Sequence, residues 1–164
     1  MARRAFFSFH YERDIWRANV VRNSWMTHAD REICGWWDNS LWESIKNNPT
    51  TVRRMIDEAI ERSSATVVLI GLETHTRRFV LEEIERTLDM GKGLLGIHIN
   101  RIGDRYGQYD PAGVNPFANF EVRRDGRRVN LADVVPTYIW HGNNGYENLG
   151  RWVDEAALRA KQIA

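Results

Sequence analysis

The sequence predicts an α/β fold: a three-layer sandwich of helices around a parallel five-stranded sheet. Three observations carry this. Ala65 to Gly71 (ATVVLIG) and Gly93 to Ile99 (GLLGIHI) are continuously apolar runs of strand length, as strands covered on both faces must be. The segments before and between them repeat apolar residues at helical spacing. Strand and helix alternate along the chain, and right-handed crossovers turn that alternation into a parallel sheet.

Each element follows from its own residues. Ala5-Phe-Phe-Ser-Phe9 is too short to nucleate a helix and rich in aromatic residues, which makes it the first strand. Asp14 is an N-cap candidate for a helix through Ile15, Trp16, Ala18, Val20 and Val21, fading near Asn23 and Ser24. Ile33 to Trp37 is the second strand, halted by Asp38-Asn-Ser40. Leu41 to Asn48 reads as a helix, and Asn47-Asn-Pro-Thr-Thr51 turns the chain with threonines available to cap the next element. Val52, Met55, Ile56, Ala59 and Ile60 then mark an amphipathic helix closed by Ser63-Ser64.

The stretch Thr76 to Arg86 (TRRFVLEEIER) is the crossover helix between the two apolar strands, ended by the C-cap signal Asp89-Met-Gly-Lys-Gly93. Asn100 to Asn130 holds Pro111 and Pro116 and shows no sustained period, which predicts long loops and one short hairpin near Phe120 to Val129. Val134 to Trp140 is the last strand, put at an edge by Pro136. Leu149, Trp152, Val153, Ala156, Ala157 and Ala160 mark a terminal helix. The simplest winding is flavodoxin-like, strand order 2-1-3-4-5. Ligands in such sheets bind beyond the carboxyl ends of the strands where the winding reverses, between strands 1 and 3. Phe9 to Asp14, Gly71 to Arg78 and Asp38 to Trp42 meet there.

Composition narrows the function. With 164 residues, 43% of them hydrophobic, one domain over residues 1–164 is expected, burying roughly 70% of its unfolded surface. Lysine and arginine number 23 against 22 acids, a net charge of +1, so no global field favours nucleic acid or an anionic membrane as partner. Cys34 is the only cysteine, which rules out an internal disulfide and fits a reducing compartment. No long apolar signal core follows Met1 and no run approaches the ~20 residues of a membrane span. A soluble, cytoplasmic protein is the expectation.

Several chemistries lack their motifs. Neither GxxxxGK[ST] nor GxGxxG is present, the loop after the first strand (His10-Tyr-Glu-Arg) is too bulky to cradle a flavin phosphate, and the third strand ends in Ile70-Gly-Leu-Glu73 without a phosphoreceiver aspartate. His10, His28, His75, His98 and His141 form no pair at ligand spacing, so no metal is expected. Trp16, Trp36, Trp37, Trp42, Trp140 and Trp152 fall on expected elements without interleaved basic residues and read as core, with Trp25 the least certain.

The crossover helix carries the remaining chemistry. With Val80 as the zero of a helical wheel, Leu81, Ile84 and Leu88 face the sheet, Glu83 and Glu85 flank that face, and Glu82 points to solvent within reach of Arg86. A carboxylate at the border of a buried face is partly desolvated, as a general base or an electrostatic catalyst at a sugar carbon must be. The wheel alone does not choose between Glu83 and Glu85.

A family resemblance does. Ala5 to Phe9 resembles the first strand of TIR domains, and Arg78-Phe-Val-Leu-Glu-Glu-Ile84 resembles their Ser-x-Trp-Cys-x-x-Glu-Leu helix. SFHYERDIWRANVVRNS, GWWDNSLWE, ATVVLIGLETHTRRFVLEEIE and GKGLLGIHI are similar to the TIR-like family of bacterial Thoeris antiphage systems, over most of Ala5 to Ile99. That resemblance implies a TIR-like domain with Glu83 as the catalytic residue of NAD cleavage. Phe79 stands where the family has tryptophan and Val80 where it has cysteine, while Arg77 and Arg78 occupy the place of the leading serine. It also implies that Phe9, His10, Tyr11 and Phe79 line the NAD site, and that Asp38 and Ser40 bind its hydroxyls or phosphates. The implied enzyme is of the NAD glycohydrolase or ADP-ribosyl cyclase type, making a cyclic or otherwise modified ADP-ribose signal. Its implied partners are a separate effector reached by that diffusible product, a phage-derived trigger, and further copies of itself. A non-catalytic TIR-like interaction module is the alternative. Asn100 to Asn130 is open between a subunit contact and a lid.

Overall fold

The computed structural model describes residues 3–37 and 39–160. Strands β1 (Arg3–Ser8), β2 (Arg31–Cys34), β3 (Ala65–Ile70), β4 (Gly93–His98) and β7 (Thr137–Ile139) form a parallel sheet in the order β2-β1-β3-β4-β7. This is the expected 2-1-3-4-5 winding, with β7 as the fifth strand at the edge. Its centre is the β3/β4 ladder, in register from Ala65 opposite Gly93 to Ile70 opposite His98. β5 (Glu121–Arg124) and β6 (Arg127–Asn130) pair separately as an antiparallel hairpin, where a hairpin is expected from sequence.

Period-two alternation divides each strand between two cores. Ala5, Phe7, Val67, Leu69, Leu95 and Ile97 face α1 (Tyr11–Trp25) and α5 (Gly145–Arg159). On the other face, Phe6 packs on α3 (Pro49–Arg62), with α2 (Asn39–Ile45) beside it, and Val68 and Ile70 pack on α4 (Arg78–Asp89). Among the described residues no further α-helix covers that face beyond α4. Phe117 and Leu131, both fully buried, fill the place from the segment between β4 and β7. Asn115 caps a single 3-10 turn at Pro116–Asn119 there, accepting from the Phe117 amide at 2.9 Å. The aperiodic stretch is thus core-forming on its far side.

Four local expectations shift. α1 begins at Tyr11, and Asp14 lies inside it as a fully buried partner of Arg17 at 3.2 Å instead of capping it. β2 occupies Arg31–Cys34 because Gly35, at φ +73°, turns the chain in the left-handed region before the two tryptophans. A Cβ there would also crowd Ala59 and Phe6. The cap of α3 is Asn48, whose side chain accepts from the Thr51 amide at 3.2 Å with Pro49 opening the helix. Among the tryptophans, Trp25 is wholly buried and donates from Nε1 to the Glu32 carbonyl at 3.0 Å, while Trp16 is 55% exposed. Among the described residues no helix is long and apolar enough to cross a membrane.

The carboxyl end of β3 is roofed by a strap from the chain after β4. Arg17, 3% exposed, donates to the carbonyls of Ile102 at 2.8 Å and Gln108 at 3.0 Å, and pairs with Asp110 at 3.1 Å. Gly113 lies so close to the Gly71 carbonyl that a Cβ would overlap it. Arg13 extends the network from Asp110, at 3.0 Å, to Glu73, at 3.8 Å.

Candidate active site

α4 is positioned by what lies beneath it. Val80 and Ile84 bury against Val68 and Ile70. One turn beyond Glu83, the Thr87 hydroxyl donates to the Glu83 carbonyl at 2.7 Å and lies 2.7 Å from the Thr66 hydroxyl of β3. Thr87 has one proton to give, so Thr66 is the donor in their contact. The helix is thereby fixed to the sheet at one depth, which sets how far Glu83 reaches over β1.

The Glu83 side chain enters a cavity of about 350 Å³ at the switch point between β1 and β3. The buried Phe6 and Ile56 form part of its lower wall, Phe9, Tyr11, Trp36 and Trp42 its aromatic side, and its mouth is where α4 begins, at the exposed Thr76 and Arg77 just before the helix and Phe79 in its first turn. The aromatic side is a run of rings in contact. Phe9 stacks on Trp36 with centroids 5.1 Å apart, Phe9 and Tyr11 are 6.1 Å apart, and Tyr11 and Trp42 are 5.5 Å apart.

Glu83 is 7% exposed, and burial pushes its carboxyl up to about 8. The Ser8 hydroxyl at the end of β1 stands near enough to pull that value part of the way back, and the neighbouring Glu82 charge raises it further. The Ser8 contact does not reach hydrogen-bond geometry, and both Ser8 Oγ and Glu83 Oε2 are without a partner. A buried acceptor left unpaired costs free energy and is uncommon in folded proteins. His10, also nearly buried at the rim, is held below the usual imidazole range by burial and by Arg77.

The other glutamates of α4 are spoken for or exposed. Glu82 accepts from Arg53 at 2.9 Å and 3.1 Å and from Arg78 at 3.0 Å. The expected Glu82 to Arg86 pair does not form, because Arg86 reaches Asp57 on α3 at 2.8 Å. Glu85 is exposed. A larger and more open depression of about 790 Å³ lies beyond β4 and β7, but its carboxylate, Asp110, is already tied to Arg13 and Arg17.

The family described as Thoeris protein ThsB, TIR-like domain, matches residues 6–103. The chain is also 39% identical, over an alignment of 168 positions, to a Bacillus cereus (strain MSX-D12) protein named "Putative cyclic ADP-D-ribose synthase ThsB1", covering 100% of this chain and 82% of that protein. This chain belongs to the ThsB TIR-like family. Among solved structures, Clostridium botulinum CMP N-glycosidase BcmB aligns with a TM-score of 0.43 at 17% identity, over 58% of this chain and 69% of that one. The ThsB match spans every residue that lines the cavity, from Phe6 to Glu83, and ends before β5, β6, β7 and α5.

Of the residues expected in the site, Phe9, His10, Tyr11, Phe79 and Glu83 meet around the one cavity. Ser40 is exposed on α2 and is not part of the lining, and Asp38 lies outside the described residues. Trp42 and Arg77 also line the cavity, within two of the segments expected to meet at the switch point though not singled out there, and so do Trp36 and Trp37, which sequence reasoning put in the core. A signal existed for two of them: adjacent tryptophans directly after a glycine, at the carboxyl end of a short strand, are where a turn carries rings out of the sheet and into the cleft.

Proposed function

We propose that this ThsB-family chain is an NAD-processing enzyme of antiphage defence, with Glu83 as its catalytic carboxylate. The observation that carries the reading is the Glu83 side chain itself: buried, with one oxygen unpaired, at the bottom of an aromatic-walled cavity. Cleavage breaks the bond between the ribose C1′ and the nicotinamide nitrogen. The bonding pair leaves with nicotinamide, which becomes neutral, and positive charge appears on the ribose as an oxocarbenium ion. The Glu83 carboxylate holds the ribose hydroxyls and stabilises that charge where little water competes.

Burial alone favours the neutral acid at pH 7, because it puts the Glu83 value near 8. A bound nicotinamide cation shifts it toward the carboxylate, since an opposite charge nearby favours the ionised form. Phe9, Tyr11 and Trp36 line the same cavity, and aromatic rings attract such a cation. Capture of the ribose by water gives ADP-ribose. Capture by a nucleophile of the ADP-ribose itself gives a cyclised product, which exclusion of water favours. The name of the Bacillus cereus relative supports the cyclising outcome. In this reading residues 1–164 act as one TIR-like domain in the cytoplasm, a phage-derived trigger starts turnover, self-association completes the pocket, and the product carries the signal to a separate effector.

The purified chain is incubated with NAD, with and without lysate of phage-infected cells, and nicotinamide is measured. Release is expected in the triggered sample and is expected to vanish in Glu83→Gln. Release that persists in Glu83→Gln removes the catalytic assignment, and no release under any trigger leaves the non-catalytic interaction module.

A further inference from the structure

The cavity is small for a whole dinucleotide. At about 350 Å³ it sits near the lower end of the ~300–1,000 Å³ typical of ligand sites. With Glu83 at the bottom taking the ribose of the reacting half, the rest of the molecule must leave through the mouth. The groups at that mouth therefore select what may follow the ribose.

On one side the mouth is the first turn of α4. Arg77 occupies its N-cap position and makes no side-chain cap. The first amide of the helix with a backbone acceptor is that of Leu81, bonded to the Arg77 carbonyl at 3.1 Å. The preceding amides, those of Arg78, Phe79 and Val80, lack an acceptor among the described residues, and helix N-termini with free amides attract anions. Two arginines flank this turn, and they differ. Arg78, which also lines the cavity, is drawn to Glu82 at 3.0 Å, a carboxylate it shares with Arg53. Arg77 is exposed and lines the cavity, and among the described residues its guanidinium has no ion-pair or hydrogen-bond partner. Across the mouth, Glu12 on α1 also lines the cavity. An anion is therefore drawn to the α4 side. Arg77 precedes Glu83 by six residues, about 9 Å of helix rise, a separation that one ribose and its 5′-phosphate can bridge. The unpaired, nine-tenths buried Glu83 carboxyl in the same cavity independently marks the place where the attached sugar would sit.

We propose that Arg77 and the open first turn of α4 form a subsite for the diphosphate of a dinucleotide whose ribose lies against Glu83. The subsite rests on the reading of this cavity as an NAD site and gives it a specificity element. The rings and Glu83 would accept a nucleoside, whereas Arg77 requires that the nucleoside carry phosphate.

The test uses the full chain and ADP-ribose, which keeps the diphosphate and cannot lose nicotinamide. Calorimetric titration at low and high salt is run on the unsubstituted protein and on Arg77→Gln, with melting temperatures recorded for both. The expected result is that Arg77→Gln weakens ADP-ribose binding about tenfold or more, as loss of a charge-assisted phosphate contact should, with no drop in melting temperature. High salt should weaken binding by the unsubstituted protein and have less effect on the variant. The subsite is overturned if the unsubstituted chain does not bind ADP-ribose, if Arg77→Gln binds it equally well, or if the variant loses affinity but keeps the full salt dependence. Arg77-dependent binding without nicotinamide release from NAD under any trigger keeps the subsite and rejects the enzymatic reading. Release with Arg77-independent binding does the reverse.

Discussion

Glu83 costs the fold free energy in proportion to pH. Its carboxyl ordinarily titrates near 4.5 and in the folded chain near 8. Between those values the unfolded chain is ionised while the folded one holds its proton, so stability is highest below 4.5 and declines as pH rises to 8. The decline is on the order of 5 kcal/mol if this residue acts alone. Glu83→Gln keeps the shape and removes this titration, so its stability, followed by denaturant melts at stepped pH, should fall much less between pH 4.5 and 8 than that of the unsubstituted protein, keeping only the dependence of other shifted groups such as Asp14. Parallel curves for the two proteins would mean that Glu83 titrates at its ordinary value. The same shift governs turnover. If the carboxylate is the working form, kcat/KM for nicotinamide release climbs with pH to a plateau above about 8, falling about tenfold per unit below it. The kcat profile should break at lower pH, because the bound nicotinamide cation stabilises the carboxylate.

At the scale of the element, α4 holds Glu83 at its depth through the buried contact of Thr87 with Thr66. Thr87→Val leaves the Thr66 hydroxyl, fully buried, without an acceptor and should cost about 1–3 kcal/mol. Adding Thr66→Val removes the stranded group, and the double variant should recover most of the loss by urea midpoint. If both single variants and the double one behave alike, the contact contributes nothing specific. The helix itself was legible in the sequence because its apolar stripe and its carboxylates follow one period, and β3 and β4 because they are apolar without interruption. The wheel could not separate Glu83 from Glu85, since both flank the stripe. What separates them physically is Ser8 and the end of β1, which come from a distant part of the chain. The β2 boundary differs from the sequence expectation for a related reason: Trp36 and Trp37 look like strand residues, and it is the left-handed Gly35 that sends them to the cavity wall.

At the scale of the whole molecule, the strap over the sheet was the least legible part, because what orders it is charge rather than period. The Asp14 to Arg17 pair gives no apolar signal, yet Arg17 gathers the Ile102 and Gln108 carbonyls and the Asp110 carboxylate over the end of β3. Burial raises the Asp14 carboxyl above its usual range, and Arg17 is what holds it back. Gly71 fits beneath because a Cβ there would overlap the Asp14 carboxylate. Through Arg13 and Glu73 the network continues to His10, whose Nε2 is 3.8 Å from Glu73, at the rim of the cavity. Arg17→Met keeps much of the side-chain volume and removes the contacts of Arg17 with Asp14, Asp110 and the Ile102 and Gln108 carbonyls, stranding Asp14. Breaking a buried pair by removing one partner costs about 3–5 kcal/mol, and the strap loses the donor to two of its carbonyls. The expected result is a lower denaturant midpoint together with new protease cleavage between residues 100 and 115, ahead of global unfolding. Arg17→Met/Asp14→Asn, which removes the stranded carboxylate, should regain part of the midpoint while the strap stays open to cleavage. A strap equally protected in Arg17→Met would mean that its own turns hold it, and that α1 and the roof of the sheet are independent.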